Sequence, residues 1–547
     1  MARICSKCTA ENPQNSKFCG SCGTALSITQ RKRQIESVKN YIDPRRKELA
    51  ADRYRPLYHY QPPENWMNDP HGAIFWNGWY HLFYSYRPYD PGPPNPADGS
   101  IHWGHAASRD LIHWTDLPVA LTPTPEGPDN RGCFPGNIVI NEGVPTLIYY
   151  GVYGGICIAT SDDDMITWEK SVHNPVIPAP TGNEEWKVHD PFVWKEGDYW
   201  YCINGQQTGE GRQIGTSHDA GFMFRSKDMI TWEYMYPLYE PGKESDLAVP
   251  DFFKLGNKYC LLFASHTRGA QYYIGTYTDT KFVPESHGRM NYTIFNSSRD
   301  GIRVNSPDDM LTTGDMTTLF SWNAPDGRRI IIAWIPEGRT REVQITSGWS
   351  STMSLLREIS LLDNNSLEIK PLSELKSLRS DPAKLTDIYL NKDNVISLGD
   401  VGGNCIEIEA EFQSSDSGEI GLKVCCSRDG SEETVITYSY EKQMLTLDVS
   451  KSTLSEDFVG IAFQEGPLNL ADGEPLHLRV FIDRSVVEVF ANNRQCLTKR
   501  IYPSREDSIG IRGFANKKVS SIKTLNVWNM SSIWPSNETL NETLDEK

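Results

Sequence analysis

The chain has 547 residues, which is too long for one hydrophobic core and indicates two or three domains. Its 71 acidic and 54 basic residues give a net charge of −17. This excess argues against nucleic acid or an anionic membrane as a partner, because both attract basic surfaces, and an uncharged substrate fits better. No apolar run approaches the roughly 20 residues that span a bilayer, and the N-terminus lacks the apolar core of a secretion signal.

The first 26 residues carry two Cys-x2-Cys pairs, formed by Cys5 with Cys8 and by Cys19 with Cys22. Four thiolates at this spacing predict a tetrahedral structural zinc site, whose metal supplies the folding energy of so short a segment. Two redox-active pairs are the weaker alternative. The segment resembles the short zinc ribbons at the N-termini of many prokaryotic proteins, and docking of a protein partner is the hypothesis for its role. A structural zinc leaves no open ligand position, so no cofactor is expected for catalysis. Reduced thiolates and the missing signal favour the cytoplasm.

Residues 27–53 are charged, with apolar residues at helical spacing, and predict a partly helical linker. The basic run Arg45-Arg46-Lys47 is interpreted as a solvated face of that linker. The eight cysteines beyond the ribbon are scattered and often lie in apolar runs, so we expect them to be small buried hydrophobes.

From residue 54 the pattern becomes β and repeats. A turn glycine followed by an aromatic or β-branched strand occurs five times, at Gly78, Gly143, Gly197, Gly256 and Gly327. A second repeat, in which a Ser-x-Asp turn precedes a strand that starts at Trp, begins at Ser108, Ser161 and Ser226. Repeats of this length, each a small sheet, predict a five-bladed β-propeller over residues 54–368, with a central funnel between the innermost strands.

Beyond about residue 370 the repeat stops but strand alternation continues, at 406–412, 478–483 and 485–490. Many short strands with turn signals predict a β-sandwich over residues 369–534. The polar residues 535–547 are expected to be a disordered tail. The predicted fold class is therefore all-β: a small N-terminal zinc ribbon, a five-bladed β-propeller and a C-terminal β-sandwich.

Acidic residues stand close to a proline at three predicted strand starts, spaced as blades are: Asp69-Pro70, Asp190-Pro191, and Glu244 and Asp246 ahead of Pro250. Taken alone, the first is an ordinary Asn-Asp-Pro turn signal. Proline restricts the residue before it to extended geometry, so Asp69 is expected on an extended segment that turns at Pro70 and Gly72. Three such starts are hard to obtain by chance, and two carboxylates flanking one bond are the machinery of glycoside hydrolysis.

The motifs resemble those of glycoside hydrolase family 32, the β-fructosidases. The family's Trp-Met-Asn-Asp-Pro-Asn-Gly matches residues 66–72 with His71 in place of the second Asn, and further motifs match residues 80–84, 103–105 and 480–490. The resemblance covers about residues 54–530. It implies a propeller joined to a sandwich, and a retaining glycosidase that releases fructose from sucrose or β-fructans.

The resemblance also implies roles for individual residues. Asp69 is the expected nucleophile, which forms a covalent fructosyl-enzyme, and Asp190 is expected to hold fructose hydroxyls and stabilise the transition state. The candidate substrate-binding residues are Trp66, Asn68, His71, Trp103 and His189. His189 replaces an arginine of the family motif, which removes a fixed charge and a bidentate donor.

The general acid/base departs from the family pattern, since Ala248-Val249 stands where the family has Glu-Cys before Pro-Asp. Residues two apart on an extended strand share a face, so Asp246 and Glu244 are expected to point as position 248 does. Divergent sequences of the family carry an acid at the place of Asp246, and we favour Asp246, with Glu244 as a rival of longer reach. A solvated loop is the alternative for either acid. The segment from Cys133 also replaces the family's Ser-Gly-Ser.

Two other functions are hypotheses of different classes. An inverting five-bladed glycosidase would act on arabinose or xylose polymers, but the sandwich signature at residues 480–490 speaks against it. A carbohydrate-binding protein would have kept the funnel and lost the acid, and the altered acid motif favours that hypothesis, because function must be argued from the site and not from the fold.

Overall fold

The computed structural model describes residues 3–4, 11–12, 44–94, 98–182, 184–205, 221–239, 247–265, 269–278, 281–290, 315–390, 396–413, 418–460, 462–516 and 520–534. Two short strands near the N-terminus, β1 (Arg3–Ile4) and β2 (Glu11–Asn12), pair antiparallel. Helix α1 (Pro44–Leu49) precedes the first long sheet. Within the described ranges, no helix has the length and apolar character that crossing a membrane requires.

Five sheets between residues 65 and 371 each contain a meander of four antiparallel strands. The first consists of β3 (Asn65–Trp76), β4 (Trp79–Arg87), β5 (His102–Ser108) and β6 (Trp114–Leu121). The second consists of β7 (Cys133–Asn141), β8 (Val144–Gly151), β9 (Gly155–Thr160) and β10 (Glu169–Lys170), and β11 (Ile177–Pro178) also pairs with β9. Each blade is therefore a hairpin-connected sheet, as the glycine repeat predicts.

The remaining three blades have the same meander. The third consists of β12 (Phe192–Glu196), β13 (Tyr199–Asn204), β14 (Gly221–Ser226) and β15 (Glu233–Tyr239). The fourth consists of β16 (Ala248–Leu255), β17 (Lys258–Ser265), β18 (Gly269–Thr278) and β19 (Lys281–Arg289). The fifth consists of β20 (Leu319–Asn323), β21 (Arg329–Ile335), β24 (Arg357–Leu361) and β25 (Leu367–Pro371).

The first strands of the five blades, β3, β7, β12, β16 and β20, contact one another in a closed ring. Helix α2 (Arg341–Ser347) and the short strands β22 (Trp349–Ser350) and β23 (Thr352–Met353) lie between β21 and β24. Strand β22 pairs in parallel with β3, so the chain of the fifth blade closes onto the first. The ring of inner strands is the funnel that the repeat predicts.

Two six-stranded sheets follow the propeller, after a 3-10 helix (Ser373–Leu378). One has the order β26 (Arg379–Leu390), β37 (Ser520–Met530), β28 (Cys405–Phe412), β33 (Leu476–Asp483), β34 (Val486–Ala491) and β35 (Gln495–Arg500). The other has the order β27 (Ile396–Gly402), β36 (Gly510–Ala515), β29 (Glu419–Cys426), β30 (Glu433–Ser439), β31 (Met444–Lys451) and β32 (Phe463–Pro467). A separate apolar cluster fills the space between the sheets, which makes this unit the predicted sandwich.

The Ser-x-Asp repeat is a turn whose side chains replace missing backbone bonds. In the first copy, Ser108 Oγ donates to Asp110 Oδ1 at 3.1 Å, and the same carboxylate oxygen accepts from the amides of Ile112 and His113. Strand β6 then begins at Trp114. Local side-chain hydrogen bonds of this kind favour turns, so this repeat could be recognised from the sequence.

The basic run of the linker is not a uniformly solvated face, contrary to expectation. Arg46, on helix α1, is only 5% exposed. Its guanidinium bonds both oxygens of Asp116 and stacks 3.5 Å from the ring centroid of Trp534. Arginine combines a flat apolar face with fixed donors, so Arg46 ties the linker to the first blade and to the end of the sandwich.

Candidate active site

Asp69 lies inside strand β3, so the extended geometry expected before Pro70 is present. The chain does not turn at Pro70 as predicted. It continues as a strand, and register shifts on both sides of Pro70 mark a bulge against β4. Proline cannot donate to the ladder, and a bulge re-aims the side chains beside it. Asn68 and Asp69 are half-buried, whereas Met67 and Pro70 are fully buried.

The carboxylate of Asp69 is held by a neighbouring blade. The hydroxyl of Thr318, just before strand β20, donates to Asp69 Oδ1. Burial and the charge of Asp190 raise the pKa of Asp69 to about 7, although the Thr318 hydroxyl and His189 act in the opposite direction. Thr318 therefore fixes the orientation of this carboxylate through Oδ1.

Asp190 stands at the start of strand β12, on the third blade. It is 3% exposed and adopts a φ of 45°, a left-handed conformation that is uncommon for any residue other than glycine. His189 Nδ1 lies 2.7 Å from Asp190 Oδ2, and the His189 ring packs 4.9 Å from that of Tyr150. The imidazole thus lies beside the carboxylate and can pair with it in charge when the ring is protonated. Strained backbone of this kind clusters at functional sites.

Trp66 and Asn68 flank the carboxylate on the same strand. Trp66 is 1% exposed, and its ring meets that of Trp334 edge-on at 6.1 Å. Among the described residues, no partner contacts the indole nitrogens of these two tryptophans or Asn68 Oδ1. Buried polar atoms without partners are rare in native proteins, so this group of donors and an acceptor around Asp69 suits a polyhydroxylated ligand.

His71 and Trp103, two other predicted contacts for substrate, are fully buried. Their rings pack 4.0 Å apart, and Trp103 Nε1 donates to the carbonyl of Phe134 at 3.1 Å. Next to Trp103, a side chain on Gly104 would collide with the ring of Tyr84. These residues pack the first blade against the second and hold β3 in place. Their direct contact with sugar stays a prediction.

The carboxylate that follows Pro250 is not open to the funnel. Asp251 is 1% exposed, pairs with Arg329 at 3.2 Å and accepts from the amide of Ser321 at 2.8 Å. Burial raises the pKa of Asp251 to about 6, because it outweighs the opposing effects of Arg329 and Ser321. Asp251 therefore joins the fourth blade to the fifth.

Strand β16 is irregular just before Pro250. Val249 has a φ of 47°, a genuine outlier for a β-branched residue, and the register shifts between Ala248 and Asp251. The regular alternation of side chains between the two faces of the strand is therefore broken at Val249, so it does not predict where the side chains before this residue point. Asp246 and Glu244 lie outside the described residues, so their assignment stays a prediction.

The chain matches the family model described as Glycosyl hydrolases family 32 N-terminal domain over residues 59–371 and the one described as Glycosyl hydrolases family 32 C terminal over residues 374–529. The chain belongs to glycosyl hydrolase family 32. This confirms the resemblance and the prediction of a glycosidase, and the C-terminal match excludes the arabinose or xylose class as the parent family. A zinc-ribbon domain model matches residues 4–26, and the four cysteines predicted to bind zinc lie outside the described residues.

Similar proteins include a sucrose-6-phosphate hydrolase of Zymomonas mobilis, 29% identical over 88% of this chain and 94% of the relative, and a levanase of Bacillus subtilis, 30% identical over 88% and 71%. The solved structure of fructan 1-exohydrolase IIa from Cichorium intybus has a TM-score of 0.76 at 23% identity and covers 88% of this chain and 98% of that one. That structure supports the propeller and sandwich fold.

Sequence reasoning missed two residues of this family 32 site, Thr318 and Trp334. Thr318 stands just before the inner strand of the fifth blade, where polar residues are expected to face the funnel, but no proline marks that start. The backbone amide of Trp334 donates to the carbonyl of Thr318, which brings the indole toward Trp66. The polar pair Thr317-Thr318 was the available signal.

Proposed function

We propose that this family 32 enzyme is a retaining β-fructofuranosidase that releases fructose from sucrose or short β-fructo-oligosaccharides. The observation that carries the proposal is the half-buried Asp69 on a bulged inner strand, held by Thr318 and coupled in charge to Asp190 on another blade. Two carboxylates of different exposure in one funnel can divide nucleophilic attack and electrostatic stabilisation between them.

In the first step Asp69 Oδ2 attacks the anomeric carbon of the fructosyl unit. The bond to the glycosidic oxygen breaks, and the acid/base donates its proton to that oxygen. In the second step the same residue takes a proton from water, the water oxygen bonds the anomeric carbon, and the bond to Asp69 breaks. Two displacements give fructose with retained configuration.

Asp190 is proposed to accept hydrogen bonds from fructose hydroxyls through Oδ1, which has no partner among the described residues. Trp66 and Asn68 are proposed to supply the remaining contacts. Hydrogen bonds that a carboxylate makes to hydroxyls near a developing positive charge strengthen in the transition state, which is the interaction that accelerates the reaction.

We favour Asp246 as the acid/base, with Glu244 as the rival. The described chain resumes at Leu247, whose carbonyl lies so close to Gly205 that a Cβ there would stand 2.3 Å from it. Gly205 in turn donates to the carbonyl of His189. The segment that carries both acids therefore joins the fold beside Asp190, which supports a place for one of them in the funnel.

The four ribbon cysteines are proposed to hold one structural zinc. Strands β1 and β2 pair as a hairpin, and Cys5 and Cys8 fall in the sequence between them. A zinc knuckle needs a turn that carries a Cys-x2-Cys pair, and thiolate donors suit this metal. A zinc ion bound by these thiolates would stabilise the fold of the ribbon. We propose no part for it in catalysis.

The function is tested by incubating the full-length protein with sucrose, sucrose 6-phosphate, 1-kestose, inulin and levan, and by measuring released fructose. Proton NMR during early turnover should show the β-anomer of fructofuranose first, before mutarotation. Sugar binding by calorimetry without any release would replace the proposal with the carbohydrate-binding hypothesis. Initial release of the α-anomer would exclude the retaining mechanism.

The acid/base is identified by comparing D246N and E244Q on sucrose and on β-fructofuranosyl fluoride. Fluoride leaves without protonation, so a variant that lacks the acid should lose about 10²–10⁴-fold on sucrose and far less on the fluoride. Azide, which needs no general base to attack the intermediate, should rescue that variant alone. If both variants keep the wild-type ratio of the two rates, neither residue is the acid.

A further inference from the structure

Three guanidinium groups surround the indole of Trp349, at the boundary between propeller and sandwich. The distances from the ring centroid are 5.2 Å for Arg339, 5.4 Å for Arg55 and 5.6 Å for Arg500. All three arginines are at most 4% exposed. Arg500 comes from strand β35 of the sandwich, and the other two come from the propeller side. Charged groups are almost never this buried unless they are paired.

The carboxylates near this cluster already accept hydrogen bonds from other groups. Glu337 is fully buried and accepts from Arg339 Nε at 3.0 Å and from Arg500 Nη2 at 3.4 Å. Its further donors are the Tyr502 hydroxyl and the amides of Gly338 and Ser351. Asp52 accepts from Trp349 Nε1 at 2.7 Å and from the amide of Tyr54 at 2.9 Å. Among the described residues, Glu337 is the carboxylate that these arginines hydrogen-bond. With Asp52 and the neighbouring Arg46–Asp116 pair included, four cations face three carboxylates, so the excess is one positive charge.

Several donors of the cluster remain without an acceptor among the described residues. These buried atoms are Arg55 Nη1, Arg339 Nη2, Arg500 Nε, Arg500 Nη1 and Ser351 Oγ. Arg339, Arg500 and Ser351 each contact Glu337, so their unused donors belong to one small region. A buried donor without an acceptor destabilises the fold, and a buried charge without a counter-charge does so more strongly.

We propose that this cluster binds one small monovalent inorganic anion, of the halide class, between Arg339 and Arg500 beside Ser351. One negative charge neutralises the excess, and an anion accepts from several donors at once. Among the described residues, the unused buried atoms of this region are guanidinium nitrogens and one hydroxyl, a set dominated by donors that suits a halide. Arg55 adds positive charge beside the site, where its Nη2 donates to the carbonyls of Pro62 and Pro63. Burial and the charge of Arg46 lower its pKa to about 9, against the opposing charges of Asp116 and Asp52.

The site would couple the two domains and the funnel. Arg500 belongs to the sandwich, whereas Arg339 precedes helix α2 and Ser351 directly follows strand β22 of the propeller. Strand β22 pairs with the start of β3, where Ser350 is registered with Trp66. An anion bound here would hold β22 against the strand that carries Asp69.

Bromide is the probe, because it scatters anomalously and replaces chloride. Crystals of the full-length protein grown with sodium bromide should show an anomalous peak between Arg339 and Arg500. In solution, thermal unfolding in sodium bromide should occur about 3–6 °C above unfolding in sodium gluconate at equal ionic strength, because gluconate is too large for the site. Anomalous peaks confined to the surface, or equal unfolding temperatures in both salts, would overturn the proposal.

Variants separate anion binding from general stability. R500M should abolish the difference in unfolding temperature between the two salts. S351A removes one hydroxyl and therefore one hydrogen bond to the anion, so it should reduce that difference by about half. R329M is the matched control, because Arg329 is a buried arginine of the propeller whose nitrogens all have partners. It should lower the unfolding temperature in both salts equally. If R500M does not fold, S351A and the wild-type bromide map still decide, and an unchanged salt difference in S351A without a bromide peak refutes the site.

Discussion

The Nδ1 atom of His59, at the start of the propeller, donates to Oδ2 of Asp483 in the sandwich over 2.8 Å. Asp483 also accepts from the backbone amides of Leu57, Tyr58 and His59, at 2.7 to 2.9 Å. Burial disfavours a charged imidazole, but hydrogen bonds and charges from Asp483 and Glu488 raise the pKa of His59 overall. The sandwich signature around residues 480–490 is therefore a device that docks one domain on the other.

Replacing Asp483 by Asn should destabilise the protein without touching the funnel. The amide keeps the shape but loses the charge and presents a donor to three backbone donors, so we expect a loss of about 3 kcal/mol in the free energy of unfolding. Urea unfolding followed by tryptophan fluorescence measures it. D472N, a change at an exposed turn residue of the same domain, is the control and should be neutral. Equal stability of both variants would contradict the docking role.

The same network predicts a loss of stability in acid. Glu488 is buried between His59 and Arg357. Although burial alone would raise its pKa, the Arg357 charge and the His59 bond lower it to about 2 from an ordinary 4.5. A carboxyl whose folded pKa is depressed stabilises the fold above its unfolded pKa, and that contribution disappears as the pH falls from about 4.5 toward about 2. E488Q should be less stable at neutral pH and should show a flatter decline over this window, measured by unfolding at each pH.

Local features of this fold could be predicted from sequence because their causes are local. The turn glycines and Ser-x-Asp turns mark blades, and Pro70 marks the strand of Asp69. What could not be predicted depends on residues far apart in the chain. The carboxylate of Asp251 pairs with Arg329, 78 positions away, and the sequence around either residue does not indicate this pair.

Two other departures have the same origin. Arg46 looks like part of a solvated basic run until Asp116 and Trp534 are placed around it. The bulge at Pro70 and the left-handed φ of Val249 arise where neighbouring strands force the backbone away from regular alternation. Thr318 reaches Asp69, 249 positions away, only because the ring of blades closes.

Substitutions of Asp69 and Asp251 should have opposite effects on activity and on stability, although both aspartates lie on inner strands. D69N should keep the fold and lose about 10⁵-fold in kcat on sucrose, because an amide cannot act as the nucleophile. D251N should keep most of kcat but lose about 3 kcal/mol of stability, because it leaves Arg329 buried without its counter-charge. Measuring fructose release and thermal unfolding for both variants gives the activity and the stability of each. A D251N enzyme as inactive and as stable as D69N would place Asp251 in the chemistry.

The ribbon should carry zinc that the propeller does not need. Titration of the thiols with a mercurial reagent should release one zinc per chain, detected with a chelating dye, and fructose release should continue at the original rate. C8S should bind substantially less zinc. C405S, a change at a cysteine in the sandwich that lies outside the ribbon, is the control and should keep the full amount. Undiminished zinc in C8S would exclude Cys8 as a ligand.

His189 should set the pH at which the nucleophile becomes active. Asp69 must be ionised to attack, and its pKa of about 7 places the acid limb of kcat/KM near neutrality. The charge of His189 already lowers this pKa, and an arginine keeps its charge at every pH at which the enzyme works. H189R should therefore move the acid limb down by about one pH unit, whereas H189Q should leave it in place or move it up. Rates of fructose release from sucrose at subsaturating concentration, measured across the limb, test this. An acid limb that stays fixed in both variants would mean that a group other than Asp69 controls it.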